Sequence, residues 1–160
     1  MLNFDFHNPT HIVFGKGRVA ELAKLVPAAA KVLILVGGAS AEKTGTLAEV
    51  RAALGERQHA TFSGIEPNPS FETSMKAVDQ VRSGGFDFLL AVGGGSVIDA
   101  VKFIAAAVHF EGDAACAILD TRGRHITHAV PFGPVLTLSS TGPEMNNGRV
   151  ITPRRQGAKL

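Results

Sequence analysis

Three consecutive glycines, residues 93–95, interrupt an apolar run and lead through Ser96 into a helical pattern that carries Asp99 and Lys102. Glycines lack a Cβ, so the backbone can turn sharply and approach a ligand closely. The first N–H groups of the following helix have no intrahelical acceptor and therefore favour an anion. Ser96, Asp99 and Lys102 recur every three residues, near one face of the first two helical turns. This spacing predicts a phosphate or pyrophosphate site flanked by a carboxylate and an ammonium; the alternative is a purely structural turn.

A second glycine-rich turn, residues 37–40, follows an earlier apolar run. In dinucleotide-binding domains an acidic residue near such a strand end binds the ribose of NAD, whereas a cation accommodates the 2′-phosphate of NADP. Residues 37–40 contain no acid, while Ser40 and Lys43 are available to a phosphate. If this turn holds the ribose end, NADP is favoured over NAD. The alternative is a polar turn that caps the next helix.

Apolar runs and helical patterns alternate along the chain and must position the two turns. We expect strands at residues 31–36, 59–62, 86–92 and 135–139, and helices at 18–25, 42–54, 70–83 and from 96 onward. Ser70 is expected to cap the third helix, which the glycines at 84 and 85 end. Such alternation predicts parallel βαβ units, whose ligands gather at the carboxyl ends of strands. The sequence therefore predicts one α/β domain over residues 1–160, a Rossmann-like parallel sheet flanked by helices.

Composition and charge fit a globular domain and argue against several functions. The chain has 160 residues, 45% of them hydrophobic and 19% charged, with 18 glycines and a formal net charge of +2. This length suits one domain with a sizeable core, and the small, dispersed positive charge gives no reason to expect nucleic acid. We expect no membrane span and no export signal, because no apolar stretch is long enough. Cys116 is the single cysteine, so a reducing cytoplasm is the simplest setting.

Five segments together resemble the N-terminal half of the iron-containing, group III alcohol dehydrogenases. The segments are residues 8–10 with 14–17 (Asn-Pro-Thr and Phe-Gly-Lys-Gly), 37–45, 64–69, 91–102 and 135–150. They follow one another in order over nearly the whole chain. The branch that the sequence most resembles contains NADPH-dependent aldehyde reductases and butanol dehydrogenases. The resemblance implies the N-terminal domain of a dehydroquinate-synthase-like fold.

The resemblance also implies a cofactor site for NADP, with NAD less favoured. The pyrophosphate would be held by Gly94, Gly95 and Ser96, and the 2′-phosphate side by Gly38 and Ser40. Gly37 would also bind the cofactor. Asn68 would lie at the adenosine end and Asp99 near the nicotinamide ribose. The nicotinamide pocket would be lined by Thr137, by Leu138 through its backbone and by Asn146, and Lys159 would also contact the cofactor.

One residue of this chain departs from the family pattern near that pocket. The family's Thr-Gly-Ser-Glu is Thr141-Gly142-Pro143-Glu144 here. Proline removes a hydroxyl and a backbone donor, so family contacts made through position 143 are not expected.

The metal site of the family is expected to be missing from this chain. Family members continue into a helical second domain whose one Asp and three His bind iron or zinc, and this sequence stops short of it. Its six histidines are a poor replacement; His125 and His128, three apart on an expected strand, would point to opposite faces. We therefore expect the NADP-binding half of a metal-dependent dehydrogenase or reductase of small alcohols or aldehydes. The chain by itself is not expected to be active.

Two other functions stay open. The chain could be a non-catalytic nucleotide-binding module or a truncated fragment, or it could belong to a dehydroquinate-synthase-like cyclase, which resembles the dehydrogenases in fold and glycine turn. Residues 37–45 and 64–69 favour the dehydrogenase branch. A homodimer would form if the segment around Ile12 paired with a partner's sheet edge, but that segment could equally add to its own sheet.

Overall fold

The computed structural model describes residues 5, 7–110, 115, 118–119 and 126–152. Within these residues the strands are β1 (Val32–Val36), β2 (His59–Phe62), β3 (Phe88–Gly93) and β4 (Phe132–Leu136). The α-helices are α1 (Leu22–Leu25), α2 (Ser40–Lys43), α3 (Thr46–Leu54), α4 (Phe71–Gly84) and α5 (Gly95–Ala107). Short 3₁₀-helices lie at Arg18–Glu21 and Pro143–Met145. The strands and helices alternate as the sequence predicts.

The four strands form one parallel sheet in the order β2-β1-β3-β4. The chain moves outward from β1 to β2, then crosses back to place β3 on the other side of β1. Ligands of such sheets bind at the carboxyl ends of the strands where the order reverses. In this sheet that point lies between β1 and β3, which are the two strands followed by the glycine turns.

The interior position of strand β1 explains why its sequence is apolar at every residue. All five residues of β1 are buried, because helices cover both faces of the sheet. Leu33 and Leu35 pack with α4 and α5 on one face, whereas the alternate residues Val32, Ile34 and Val36 pack with α1, α2 and α3 on the other. The predicted α/β fold, a Rossmann-like parallel sheet flanked by helices, is confirmed.

Helix α4 begins and ends where its sequence predicts. The Ser70 hydroxyl accepts a hydrogen bond from the Thr73 amide at 3.2 Å and so satisfies one free donor of the first turn. Gly85 ends the helix in a left-handed conformation, with φ of 63°, which glycine adopts without a steric penalty. Both predicted boundary signals, the Ser70 cap and the glycine stop, are confirmed.

Several predicted elements differ from the observed ones. The strand expected at His125 and His128 is not formed over the described residues 126–131, and the helix expected at residues 18–25 begins as a 3₁₀-helix. The single helix expected at residues 42–54 is two helices, α2 and α3, because Gly45 between them has φ of 82° and cannot continue a right-handed helix. The strand expected at residues 135–139 is shifted to β4, Phe132–Leu136. Its partner β3 ends at Gly93, which pairs with Leu136, so residues 137–139 have no strand residues of β3 beside them. Pro134 is tolerated because β4 is the last strand of the described sheet, where an N–H donor is dispensable.

Candidate functional site

The two glycine turns leave the sheet side by side. Val36 at the end of β1 pairs with Val92 of β3, so residues 37–38 and 93–95 follow adjacent strands at the same edge. One side chain, Val97 in the first turn of α5, packs beneath both. A Cβ built on Gly93 would lie 2.6 Å from Val97 Cγ2, and a Cβ on Gly37 would lie 3.6 Å from the same atom. Gly93 is therefore required by close packing of helix on strand.

Gly94 and Gly95 differ from Gly93 in what surrounds them. A Cβ on Gly94 would meet nothing closer than 3.9 Å, and one on Gly95 would meet Pro143 Cγ at 3.4 Å. The Gly94 carbonyl accepts hydrogen bonds from the amides of Val97 (3.1 Å) and Ile98 (3.3 Å) and so begins α5. Internal packing does not forbid a side chain at Gly94. The sequence analysis predicts that a ligand approaches this backbone, and the structure leaves room there for at least a methyl group.

Ser96 and Asn68 come together although they lie far apart in sequence. The Asn68 amide donates to Ser96 Oγ at 3.4 Å. Asn68 has φ of 53°, a left-handed conformation that asparagine tolerates better than most residues. Its carbonyl accepts from Thr152 Oγ1 at 3.0 Å. The structure thus places the predicted adenosine-end residue beside the predicted pyrophosphate residue.

A cavity of about 340 Å³ opens at the carboxyl ends of β1 and β2. Its lining residues are Val36, Gly37, Gly38, Ala39, Ala41, Glu42, Leu47, Arg51, Thr61 and Ser63. Of the two residues predicted for the 2′-phosphate side, Gly38 lines the cavity and Ser40, the first residue of α2, does not; Gly37, also predicted to bind the cofactor, lines it. Lys43, the cation that the sequence offered to a phosphate, does not line it either.

Sequence reasoning missed the polar side chains of this cavity. The Arg51 guanidinium donates from Nη2 to Thr61 Oγ1 at 3.2 Å, and Glu42 and Ser63 complete the polar wall. One feature of the sequence could have pointed to Arg51. It lies four residues after the buried Leu47, so the two side chains are neighbours on α3. That α3 faces the end of β2 follows only from the folded sheet.

The segment after β4 covers the other side of the Gly94 turn. The Thr137 amide donates to the Gly93 carbonyl at 3.0 Å, and the Leu138 carbonyl is the atom nearest to a Cβ built on Gly94. Leu138 itself is 71% exposed. Thr137 and Leu138, both predicted to line the nicotinamide pocket, are therefore next to the glycine turn.

Asp99 and Lys102 lie half-buried on α5, close to the loop of residues 142–148. Desolvation raises the pKa of Asp99, against the opposing effects of the Lys102 charge and a hydrogen bond from the Val150 backbone. Desolvation also lowers the pKa of Lys102; the charges of Asp99 and Glu144 oppose this, and the charge of Arg149 adds to it. Lys102 Nζ donates to Gly148 O at 2.7 Å and to Asn146 Oδ1 at 3.2 Å. The structure thus brings Asp99 and Asn146 to the same end of the site.

The remaining expectations concern residues and features away from the glycine turns. Lys159 and His125 lie outside the described residues. Among the residues that the structure describes, no three His, Cys, Asp or Glu side chains are grouped as metal ligands. The described part of the chain also contains no helix long and apolar enough to cross a membrane. Residues 7–14 join no strand of the described sheet, and Ile12 and Phe14 are exposed.

A parallel sheet with two glycine turns at the point where its strand order reverses is typical of a nucleotide-binding α/β domain. Comparison with known proteins identifies the family to which this domain belongs. Residues 9–160 match the model of the iron-containing alcohol dehydrogenases, and the chain belongs to this family.

Relatives of known name agree with this assignment. The chain is 51% identical to the NADPH-dependent aldehyde reductase YqhD of Escherichia coli, over 99% of this chain and 41% of that protein. It is 45% identical to a probable NADH-dependent butanol dehydrogenase of Bacillus subtilis, over 95% of this chain and 39% of the relative. The chain thus spans about two-fifths of the length of these relatives.

Solved structures show the same fold. The crystal structure of Escherichia coli YqhD matches with a TM-score of 0.91, covering 94% of this chain and 39% of that one. The NADH-dependent butanol dehydrogenase A of Thermotoga maritima matches with a TM-score of 0.87 at 39% identity, covering 94% of this chain and 38% of that one. The sequence-based family assignment is confirmed.

Proposed function

We propose that residues 1–160 form one nucleotide-binding domain that supplies the cofactor side of an NADP(H)-linked alcohol dehydrogenase or aldehyde reductase. The observation that carries this proposal is the pair of glycine turns at the ends of β1 and β3, where a Cβ built on Gly94 would meet no protein atom closer than 3.9 Å. Such a site accepts a pyrophosphate through backbone N–H groups at the start of a helix. Small alcohols or aldehydes are the proposed substrates of the complete enzyme.

The proposed binding mode follows the order of residues across the site. Gly94, Gly95 and Ser96 bind the pyrophosphate, and Asn68, whose amide lies 3.4 Å from Ser96 Oγ, continues toward the adenosine. Gly37 and Gly38 line the cavity that receives the ribose and its 2′-phosphate, with Ser40 at the start of α2. The nicotinamide end has Asp99, Thr137, Leu138 and Asn146, and Lys159 is retained from the family resemblance.

The described residues fit the nucleotide but do not by themselves fit a metal. No group of three suitable side chains occurs among them, so no role in binding iron or zinc is assigned to them. The bound nicotinamide would supply the hydride chemistry. The role of these residues is to hold the cofactor in one orientation and to keep its pyrophosphate on the helix N-terminus.

The preference for NADP is a separate part of the proposal. The names of relatives include both NADPH and NADH, so the cofactor has to be argued from the cavity. Arg51 lines that cavity and carries the positive charge, while the Thr61 and Ser63 hydroxyls add hydrogen-bonding groups. Glu42 lines it too and would repel a phosphate. We therefore assign the preference to the Arg51 guanidinium.

Calorimetric titration of the chain with NADPH and NADH tests both the proposed nucleotide binding and the proposed preference for NADP. The chain is expected to bind NADPH more tightly than NADH. Arg51→Gln is expected to weaken NADPH binding by roughly tenfold, because two unit charges about 4 Å apart at a protein surface attract by about 1–4 kcal/mol. NADH binding should change little.

Lys43→Gln is the matched control, since it removes the same charge from a residue that does not line the cavity. If neither nucleotide binds the wild-type chain, the proposed function is wrong. If Arg51→Gln leaves the NADPH-to-NADH affinity ratio unchanged, or if Lys43→Gln changes it instead, the assignment to Arg51 is wrong.

A further inference from the structure

We infer that Lys102 is a positioning residue that fixes the loop of residues 142–148, and through it the Asn146 side chain, at the nicotinamide end of the site. Lys102 lies on the helix whose N-terminus carries the glycine turn. Its ammonium therefore connects the pyrophosphate site to a loop more than forty residues away in sequence. The inference rests on the proposed function, because it assumes that a nicotinamide nucleotide occupies the site.

The Lys102 ammonium makes two hydrogen bonds to this loop. It donates to Gly148 O at 2.7 Å and to Asn146 Oδ1 at 3.2 Å. Hydrogen bonds from a charged donor are about twice as strong as neutral ones. Because both acceptors belong to one short loop, Lys102 sets the distance of that loop from α5.

Asn146 connects the ammonium to the rest of the loop. Its Oδ1 atom also accepts from the Gly148 amide at 2.9 Å, and its Nδ2 atom donates to Gly142 O at 2.9 Å. Both ends of the side-chain amide are therefore fixed in orientation. An amide nitrogen has two N–H donors, and the Gly142 bond uses one of the two on Nδ2. In the proposed binding mode the other donates to the nicotinamide end of the cofactor. Lys102 acts on the site by holding the Oδ1 atom of Asn146, which fixes the direction in which Nδ2 donates its hydrogen bonds.

The opposite side of the loop is held by the N-terminal segment. Asn8 Nδ2 donates to Met145 O at 2.9 Å, and Thr10 Oγ1 donates to Glu144 O at 3.3 Å. These contacts give a structural reason for the Asn-Pro-Thr sequence near the N-terminus. The loop is thus fixed on both sides, and Lys102 supplies the contacts from the nucleotide-binding helix.

Desolvation lowers the pKa of Lys102, and two neighbouring carboxylates partly offset this effect. Asp99 lies three residues earlier on the same helix, Glu144 lies in the 3₁₀-helix that packs against α5, and both attract the ammonium, whereas Arg149 repels it. The ammonium is half-buried, where burial penalises a charge unless polar groups surround it. A lysine that served only to solvate the surface would not be placed among these groups.

The test compares two ligands in Lys102→Met. NADPH contacts the whole site, whereas 2′,5′-ADP has the adenosine and both its phosphates but no nicotinamide. We expect Lys102→Met to weaken NADPH binding by roughly tenfold, as for loss of charge-assisted hydrogen bonds, and to change 2′,5′-ADP binding by less than about twofold. Lys102→Arg, which keeps a charged donor, should recover much of the loss. Lys24→Met, at an exposed lysine of α1, is the matched control.

A second readout does not need the nucleotide. In the ligand-free chain, Asn146 Nδ2 donates to Gly142 O, and its proton signals should shift toward those of asparagines without an intramolecular hydrogen bond in Lys102→Met and stay near their wild-type positions in Lys24→Met. If Lys102→Met fails to fold, Lys102→Gln is measured in the same way.

The outcomes separate the inference from the proposed function. Equal weakening of NADPH and 2′,5′-ADP, or no weakening of either, overturns the positioning role, and so does an unchanged Asn146 signal. Failure of the wild-type chain to bind either ligand overturns the proposed function instead, and the Asn146 signal then decides whether Lys102 fixes the loop.

Discussion

Gly93→Ala separates the glycine needed for packing from the glycine needed for a ligand. Gly93 is the last residue of β3, and its backbone lies outside the left-handed region, so alanine can adopt its conformation. The difficulty is space. The new Cβ would lie 2.6 Å from Val97 Cγ2 and 3.1 Å from Val97 Cβ, whereas carbon atoms in proteins prefer to be about 3.5–4 Å apart.

Relief by a side-chain movement is restricted at this position. Valine in a helix is nearly confined to one rotamer, and Val97 is only 5% exposed. Inserting one methyl group into such a site typically destabilises by about 1–3 kcal/mol. Replacing glycine by alanine returns about 0.4–1 kcal/mol by restricting the unfolded chain. The net expectation is a loss of about 1–2 kcal/mol in the free energy of unfolding.

Urea unfolding followed by circular dichroism measures this loss, and Val97→Ala provides the internal check. Val97→Ala removes the Cγ2 contact at 2.6 Å but keeps the Cβ contact at 3.1 Å. If the clash is the cause, Gly93→Ala should therefore destabilise the Val97→Ala variant clearly less than it destabilises the wild type, a coupling of about 1 kcal/mol. Additive losses in the double variant would refute the packing explanation.

Gly94→Ala is the contrasting variant, because its Cβ would meet no protein atom within 3.9 Å. It should change stability by less than about 1 kcal/mol, as at other helix N-caps. NADPH affinity should fall by at least roughly tenfold, the lower end of what one methyl group costs in a closely fitted site. Full NADPH affinity in Gly94→Ala would contradict the proposed approach of the pyrophosphate to this backbone.

Two further changes test local features of the domain. Ser70→Ala removes the acceptor for the Thr73 amide and should lower the free energy of unfolding in urea by about 1 kcal/mol; Ser83→Ala near the other end of α4 should cost less than about 0.5 kcal/mol. Burial raises the pKa of Asp99, so the folded state holds that proton more tightly than the unfolded state. The free energy of unfolding of the wild type relative to Asp99→Asn should therefore fall as pH rises through the raised pKa. Urea unfolding of both proteins from acidic to neutral pH measures this difference. A difference that rises with pH would contradict the raised pKa.

The sheet and the glycine turns could be predicted because their signals are local. A run such as Val32–Val36 is apolar at every position, and a strand buried on both faces requires this. The Ser70 cap and the Gly85 stop each act within one helical turn. The division of residues 42–54 was missed because left-handed Gly45 interrupts a pattern that reads as continuous.

The cavity and the loop contacts could not be predicted in the same way. Arg51 meets Thr61 only because α3 packs beside β2, and Lys102 meets Asn146 across 44 positions in sequence. Neither pair has a periodic or spacing signal. The glycine turns of the candidate site could be predicted from local sequence, whereas the side-chain contacts at its two ends depend on tertiary packing.

The most direct test of the proposed site is an NMR titration of the ¹⁵N-labelled chain with NADPH. The account predicts that the largest shifts of backbone amide signals occur at residues 37–38 and 94–96, where adjacent strands end at the same edge of the sheet. The amides of Ala23 and Lys24 on α1, away from that edge, should shift little and serve as internal references. Saturating shifts confined to other surfaces, or no shifts at any concentration of NADPH, would contradict the claim that these turns bind the nucleotide.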